Sequence, residues 1–155
     1  MVLTTHALAG AVIGKSVNNP WIIITLSVGT HFILDMLPHG EYISRYSKIK
    51  DSYWKVILDC LIGIAIISFI IYIQRHDKDH PYNVYFGAFS SMFPDFLTFL
   101  NSLFRGKIKL LKKIYKFHQW THSFHPAPSQ REWKLRNILN DILISGIAII
   151  ILFSL

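Results

Sequence analysis

The hydrophobic positions of the chain fall into five segments, separated by shorter stretches that hold most of the charges. About 20 apolar residues of α-helix cross the hydrocarbon core of a bilayer. Segments 54–73 and 137–155 reach that length with few charged residues, and segment 20–37 begins with a proline, which is favoured at a helix start. The full set is 3–17, 20–37, 54–73, 84–104 and 137–155. The pattern predicts an all-α fold, a polytopic membrane bundle of about five helices, with residues 1–155 forming one membrane-embedded domain.

Two of the five segments are weaker candidates for a membrane crossing. Segment 84–104 is rich in phenylalanine but contains Pro94, and segment 3–17 is short. Gly10 and Gly14 stand four residues apart in segment 3–17, a spacing that lets helix backbones approach closely. We therefore expect segment 3–17 to form a fifth membrane helix, with a tilted or partly inserted helix as the alternative.

The composition favours the membrane class over the soluble class. Hydrophobic residues make up 52% of the chain and charged residues 16%, whereas soluble domains carry about 25% charged residues. A compact soluble bundle is the alternative, but 155 residues offer little protein to cover two runs of membrane length. The single cysteine, Cys60, excludes an internal disulfide and any metal site built from several cysteines. The N-terminus lacks the features of a signal peptide, so residue 1 is expected to belong to the mature fold.

Basic residues are distributed unevenly between the loops. Loop 105–136 holds nine Lys and Arg residues, and the loop after segment 20–37 holds three. With five crossings these two loops lie on the same side, and the opposite side has Lys15, Arg75 and Lys78. Because basic loops tend to stay in the cytoplasm, the sequence predicts a multi-pass protein of the cell membrane with its basic loops cytoplasmic. The same interpretation predicts a bilayer with anionic lipids as a partner and no nucleic-acid partner.

The stretch 29-GTHFILDMLPHG-40 places ionisable residues at the end of an apolar segment. Such residues are costly in hydrocarbon, and they mark a site or a partner. The predicted topology brings ionisable residues from every segment and from loop 105–136 to the cytoplasmic face, whereas His76 and His80 fall on the opposite side. The residues at the cytoplasmic level are His6, His31, Asp35, His39, Asp59, Asp95, His118, His122, His125 and Asp141.

Spacing within two short stretches supports a shared metal site. His31 and Asp35 are four residues apart and so lie on one helix face. In 118-HQWTHSFH-125 the histidines follow an i, i+4, i+7 pattern, so one helix presents all three until Pro126 ends it. Imidazole and carboxylate ligands suit zinc, manganese or iron, and an ion offsets the cost of charges near hydrocarbon. Zinc is the expected ion, and the predicted ligands are His6, His31, Asp35, His39, Asp95, His118, His122 and His125.

Each of these residues also has an interpretation without a metal. An intramembrane aspartate can cap a helix or hydrogen-bond a serine or threonine, and Asp59 can pair with Lys55 at i−4. His6 and His39 can be interfacial residues, and His125 can contact a ligand instead of the ion. A shared site requires fewer coincidences for the remaining five, His31, Asp35, Asp95, His118 and His122.

Four short stretches carry a resemblance to a known family. The stretches are 4-TTHALAGAVIG-14, 31-HFILDMLPHG-40, 87-GAFSSMFPDFL-97 and 118-HQWTHS-123. Together they resemble the membrane-bound metal-dependent hydrolases of bacteria and archaea, small multi-helix proteins with TH, PD, THS and HxxxD motifs. The resemblance implies a helical membrane fold and a hydrolytic metal site. It would carry the metal-ligand role over to His6, His31, Asp35, Asp95, His118 and His122.

The chain departs from this family pattern in two places. The usual PDxDH motif is PDFLT here, so Thr98 stands where a further ligand is expected nearby. The HxxxD stretch also precedes the PD and THS motifs, whereas it follows them in many members. Either His39 and His125 replace lost ligands, or the site binds one metal ion instead of two. The departures bear on catalysis more than on metal binding.

These observations predict a metal-dependent hydrolase at the cytoplasmic membrane surface. The ion would lower the pKa of bound water and polarise a phosphoryl or acyl oxygen. A carboxylate that is not a ligand, Asp59 or Asp141, is the expected general base. The level of the site indicates a lipid-like, amphiphilic phosphoester or ester as substrate, and Lys112, Lys113 and Lys116 are placed to attract its anionic head group.

Three other functional classes remain open at the level of sequence. A non-catalytic metal-binding or transport protein is one, although a conduit needs ligands through the whole membrane depth and the distal halves of the segments lack them. Haem ligation by histidine pairs is another, and the carboxylates among the histidines disfavour it. A structural membrane protein, with the polar cluster serving helix packing, is the third.

Overall fold

The computed structural model describes residues 1–39, 49–74, 81–124 and 135–155, and over these ranges the chain is helical without a strand. The all-α prediction is therefore confirmed for the described residues. A 3₁₀ turn, His122–Phe124, follows the fifth helix. The helices are α1 Leu3–Ser16, α2 Pro20–Asp35, α3 Ile49–Ile73, α4 Pro81–Leu103, α5 Lys109–Thr121 and α6 Leu135–Ser154.

Helix α1 lies at the centre and packs against α2, α3, α4 and α6. Its side chains are small, and Ala7, Leu8 and Ala11 are fully buried. The backbone of α1 touches that of α4 at two points, because a Cβ on Gly10 would overlap the carbonyl oxygen of Gly87 and a Cβ on Gly14 would overlap that of Asn83. The close approach expected from the glycines of α1 is therefore present, and it holds α1 beside α4.

Two of the helices are long and apolar enough to cross a membrane. They are Tyr53–Ile73 within α3 and Leu135–Ser154, and only 22% of the apolar window of each is buried inside the protein. The core helix of a soluble protein is mostly buried, so this exposure favours a lipid environment. The helix of residues 20–35 is apolar but shorter, at 16 residues. Five membrane crossings are thus not established, although each predicted segment is a helix.

The ends of α2 and α4 follow from local sequence. Asn19 caps α2, because its side-chain oxygen accepts hydrogen bonds from the backbone N–H groups of Trp21 and Ile22 at 2.9 and 3.4 Å. After α4, Arg105 (φ 52°) and Gly106 (φ 68°) adopt left-handed backbone conformations, which turn the chain so that α5 packs against α4. The turn sets the position of the histidines at the far end of α5.

Candidate metal centre

Seven histidine and aspartate side chains from four helices, the turn after α5 and the segment after α2 come together beside the first half of α1. Asp95 is the most accessible of them, with 28% of its side chain exposed, and the other six are buried. Seven of the eight predicted ligands are therefore neighbours. They are His6 of α1, His31 and Asp35 of α2, His39, Asp95 of α4, His118 of α5 and His122 of the 3₁₀ turn.

Asp35 is at the middle of this cluster. Its Oδ2 atom lies 2.7 Å from Nε2 of His118, 3.1 Å from Nε2 of His31 and 3.4 Å from Nε2 of His122. Its Oδ1 atom lies 3.1 Å from Nε2 of His6 and 3.0 Å from the amino group of Met1. A carboxylate buried this deeply requires such partners, because desolvation disfavours its charge.

The spacing between ring nitrogens matches that of metal ligands. Nε2 of His118 lies 3.3 Å from Nε2 of His31 and 3.2 Å from Nε2 of His122. Ligand atoms placed tetrahedrally around an ion at about 2.0–2.1 Å are themselves about 3.3–3.4 Å apart. His31 with His118, and His118 with His122, are therefore each at the spacing of two ligands of one ion.

The ligand atoms form two groups that share one carboxylate. His31, Asp35, Asp95 and His118 are the first group, and Asp35, His39 and His122 are the second; in each group the atoms lie within 4.8 Å of one another. Asp35 is common to both groups. The donors are imidazole and carboxylate, without a thiolate, which suits zinc, manganese or iron. The buried cluster can therefore hold a metal ion, and its donor set does not select one of the three metals.

Two of the histidines are oriented by their second ring nitrogen. Nδ1 of His118 lies 2.7 Å from the hydroxyl of Thr98, and Nδ1–H of His39 donates to the carbonyl oxygen of Leu37 at 2.6 Å. Metal-bound histidines commonly donate their other N–H in this way. Burial lowers the pKa of His39 to about 2, so its imidazole is neutral, which is the form that binds metals.

Thr98 has a function in this geometry that sequence reasoning did not assign to it. The residue stands where a further ligand was expected, yet Thr98 belongs to neither ligand group, and its hydroxyl instead contacts Nδ1 of the ligand His118. The sequence spacing could have indicated this role, because Thr98 follows Asp95 by three residues and both therefore lie on one face of α4. By contrast, Nδ1 of His6 and of His31 is buried without a hydrogen-bond partner among the described residues.

Asp59 and Asp141, the predicted general bases, belong to neither ligand group. Asp59 accepts hydrogen bonds from the backbone N–H groups of Leu3 and Thr4, at 2.5 and 3.3 Å, and from the Thr4 hydroxyl at 2.6 Å. Asp141 accepts one from the backbone N–H of Val2 at 3.3 Å. The two carboxylates thus cap α1, whose own N-cap residue makes no side-chain hydrogen bond. Their catalytic role stays a prediction.

Two further expectations concern the partner of Asp59 and the helix that carries the histidines. Instead of pairing with Lys55, Asp59 hydrogen-bonds to α1, and the ammonium group of Lys55 lies 5.7 Å from the centre of the Trp54 ring. Helix α5 ends at Thr121, so His122 approaches the cluster from a 3₁₀ turn and not from a continuous helix. His125, and His76 and His80 of the opposite loop, lie outside the described residues.

Comparison of the chain with protein-family models, with curated proteins and with solved structures found no match. The resemblance to the membrane-bound metal-dependent hydrolases therefore stays a prediction based on four short motifs. The geometry of the histidine–aspartate cluster supports metal binding independently of that resemblance.

Proposed function

We propose that this protein is a membrane-embedded hydrolase that depends on a divalent metal ion and acts on a phosphoester or ester of an amphiphilic substrate. One observation carries the proposal. Nε2 atoms of three histidines, from α2, α5 and the 3₁₀ turn, converge on one oxygen of Asp35 inside an apolar bundle. A cluster that served packing alone would bury this many ionisable groups at high cost, and an ion offsets that cost.

The membrane assignment is supported by the apolar surface of the helices. Large side chains such as Trp21, Ile33, Phe69 and Ile150 are more than half exposed, although they occupy helices that also contain buried positions. Exposed apolar surface of this extent is expected to face lipid. The proposal includes five membrane crossings with loop 105–136 in the cytoplasm. It also includes zinc as the resident ion.

The accessible side of the centre is the side of Asp95. Its carboxylate is partly exposed, with Oδ1 3.6 Å from Nε2 of His118 and Oδ2 4.0 Å from Nε2 of His6. Of the seven side chains, Asp95 is the one that a substrate could contact from outside the protein. A divalent ion would supply Lewis acidity and make water a stronger nucleophile. Asp35 and the histidines would hold the ion, and Asp95 would complete the ligand set on the side that is open to substrate.

A second candidate function is favoured by the burial of the other residues. Six of the seven side chains are shielded from solvent, as in a structural metal site that joins helices and performs no reaction. In that case the ion would connect α1, α2, α4 and α5. The two functions differ in one measurable respect, because only the hydrolase requires that an ion at the centre be reachable by substrate.

The experiment compares wild-type protein with two variants of α2 in nanodiscs. His31→Ala removes a ligand, and Ser27→Ala is the matched control, since Ser27 is buried one turn before His31. We expect wild type and Ser27→Ala to contain a transition metal and to release product from phospholipids or lipid phosphates, and His31→Ala to lose both properties. Metal without turnover would favour the structural function. Equal rates in wild type and His31→Ala would contradict the hydrolase proposal.

A further inference from the structure

Helix α5 carries a row of lysines on the face opposite its metal ligand. Its sequence, KLLKKIYKFHQWT, contains four lysines and no acidic residue. Leu111, His118 and Thr121 are buried against the rest of the protein, because α5 packs on α4 and α2. The lysines are exposed on the other side of the helix, at Lys109, Lys112, Lys113 and Lys116.

The lysine row destabilises α5 unless anionic groups neutralise it. Lys109 and Lys113 are four residues apart, as are Lys112 and Lys116, and like charges at this spacing destabilise a helix. Lys109 also places a positive charge at the N-terminus, where the helix dipole favours a negative one. Among the described residues, no carboxylate lies within ion-pair distance of any of the four.

An apolar edge runs beside the lysine row. Leu110 is 67% exposed, Trp120 54% and Phe117 49%. The ring of Phe117 packs edge-on against Phe32 of α2 and also lies beside Trp120, at centroid distances of 5.0 and 5.8 Å. A helix of 13 residues is too short to cross a bilayer. A short helix with a basic row and an exposed aromatic edge is typical of one that lies in the membrane interface.

We propose that α5 binds the surface of an anionic bilayer, with its lysine row on lipid phosphates, and that this contact tightens metal binding through His118 and His122. The inference rests on the proposed membrane-embedded metal centre and adds a regulator to it. His118 is on α5 and His122 directly follows it, so whatever holds α5 in place also holds two ligands. Linkage is reciprocal, and bound metal will therefore strengthen the lipid contact.

A lipid surface fits α5 better than a nucleic acid does. A nucleic acid would neutralise the lysines, but it would leave the large side chains of Leu110 and Phe117 in water. An anionic bilayer accepts both, because phosphates lie at the level of the lysines and acyl chains lie just beneath.

The test uses full-length protein in nanodiscs of phosphatidylcholine, with or without phosphatidylglycerol. One readout is hydrogen exchange of the α5 amides, and the other is the rate at which bound zinc is released to excess chelator. The rate of release is measured instead of the zinc affinity, because an anionic surface concentrates free zinc and would raise the apparent affinity without any contribution from α5. The variant replaces three lysines, Lys112→Gln, Lys113→Gln and Lys116→Gln, and Lys55→Gln on α3 is the matched control.

With phosphatidylglycerol we expect slower exchange in α5 and metal release slowed by at least about five-fold, for wild type and Lys55→Gln alike. The triple variant should show neither effect, while its exchange in phosphatidylcholine alone shows that α5 still folds. Unchanged α5 exchange in the anionic discs, or a full effect in the triple variant, would overturn the inference. So would equal protection of α5 by an oligonucleotide or by soluble glycerol phosphate in phosphatidylcholine discs. Protein that binds no zinc in either disc would instead refute the metal centre, and α5 exchange would still decide the lipid contact.

Discussion

The hydroxyl of Thr98 lies 2.7 Å from Nδ1 of His118, on the side of the ring that faces away from Asp35. When Nε2 of His118 binds an ion, Nδ1 carries the proton and Nδ1–H donates a hydrogen bond to this hydroxyl. The same hydroxyl can donate to Nδ1 when Nε2–H donates to Asp35 instead. Thr98 therefore holds the ring in one orientation in both states, and it connects α4 to a ligand on α5.

Replacing Thr98 with valine should weaken metal binding without removing a ligand. The change keeps the shape of the side chain and deletes the hydrogen bond to His118, and loss of such a partner typically lowers metal affinity by about 10–100-fold. Competition with a chelator measures the affinity. Thr98→Ser keeps the hydroxyl and should restore binding. A valine variant that matches wild type would show that Thr98 does not orient the ring.

Asp59→Asn separates a cap from a catalytic base. Asp59 accepts three hydrogen bonds from the first turn of α1, so the loss of its charge should lower the free energy of unfolding by about 1–3 kcal/mol. Metal content should stay at the wild-type level, because Asp59 is in neither ligand group. Thermal unfolding and elemental analysis measure the two quantities. A loss of turnover with unchanged stability would show that Asp59 is the general base and that its capping contacts contribute little.

Gly87→Ala tests the contact between α1 and α4. A methyl group at this position overlaps the backbone of α1 at Gly10, and overpacking of this kind costs about 1–3 kcal/mol or more. Since α1 carries His6 and α4 carries Asp95, we also expect weaker metal binding. Gly29→Ala on α2 is the control, because nothing lies within 4 Å of its added methyl group. Equal unfolding temperatures for the two variants would contradict the packing described for α1.

Single cysteines introduced in a Cys60→Ser background test the proposed orientation. Lys109→Cys lies in the proposed cytoplasmic loop, and Asn18→Cys lies between α1 and α2, on the proposed outer side. A thiol reagent that does not cross membranes should label position 18 in intact cells and position 109 only after lysis. Labelling of position 109 in intact cells would overturn both the five-crossing topology and the cytoplasmic placement of the centre.

Much of the cluster is predictable from sequence because its residues lie on regular helices. The i, i+4 spacing of His31 and Asp35 places them on one face of α2 whatever surrounds that helix. The predicted topology places His6, Asp95 and His118 at the same depth in the membrane as these two residues. The structure brings all five side chains together.

The capping of α1 was not predictable in the same way. Whether Asp59 and Asp141 face the ligands or the first turn of α1 depends on how α3 and α6 are rotated against α1, and that rotation is set by tertiary packing. One local signal was present, since Val2 precedes α1 and cannot cap it. A polar residue from a neighbouring helix was therefore required to satisfy the first N–H groups.

The most direct test of the central claim, that the histidine–aspartate cluster holds a metal ion, is X-ray absorption spectroscopy of the purified, metal-containing protein. For a zinc ion we expect a shell of nitrogen and oxygen ligands at about 2.0–2.1 Å, with the outer scattering of at least two imidazole rings and no sulfur. In His118→Ala the imidazole contribution should fall. An ion surrounded by water alone, or a spectrum that is identical in wild type and His118→Ala, would contradict the claim that this cluster holds the ion.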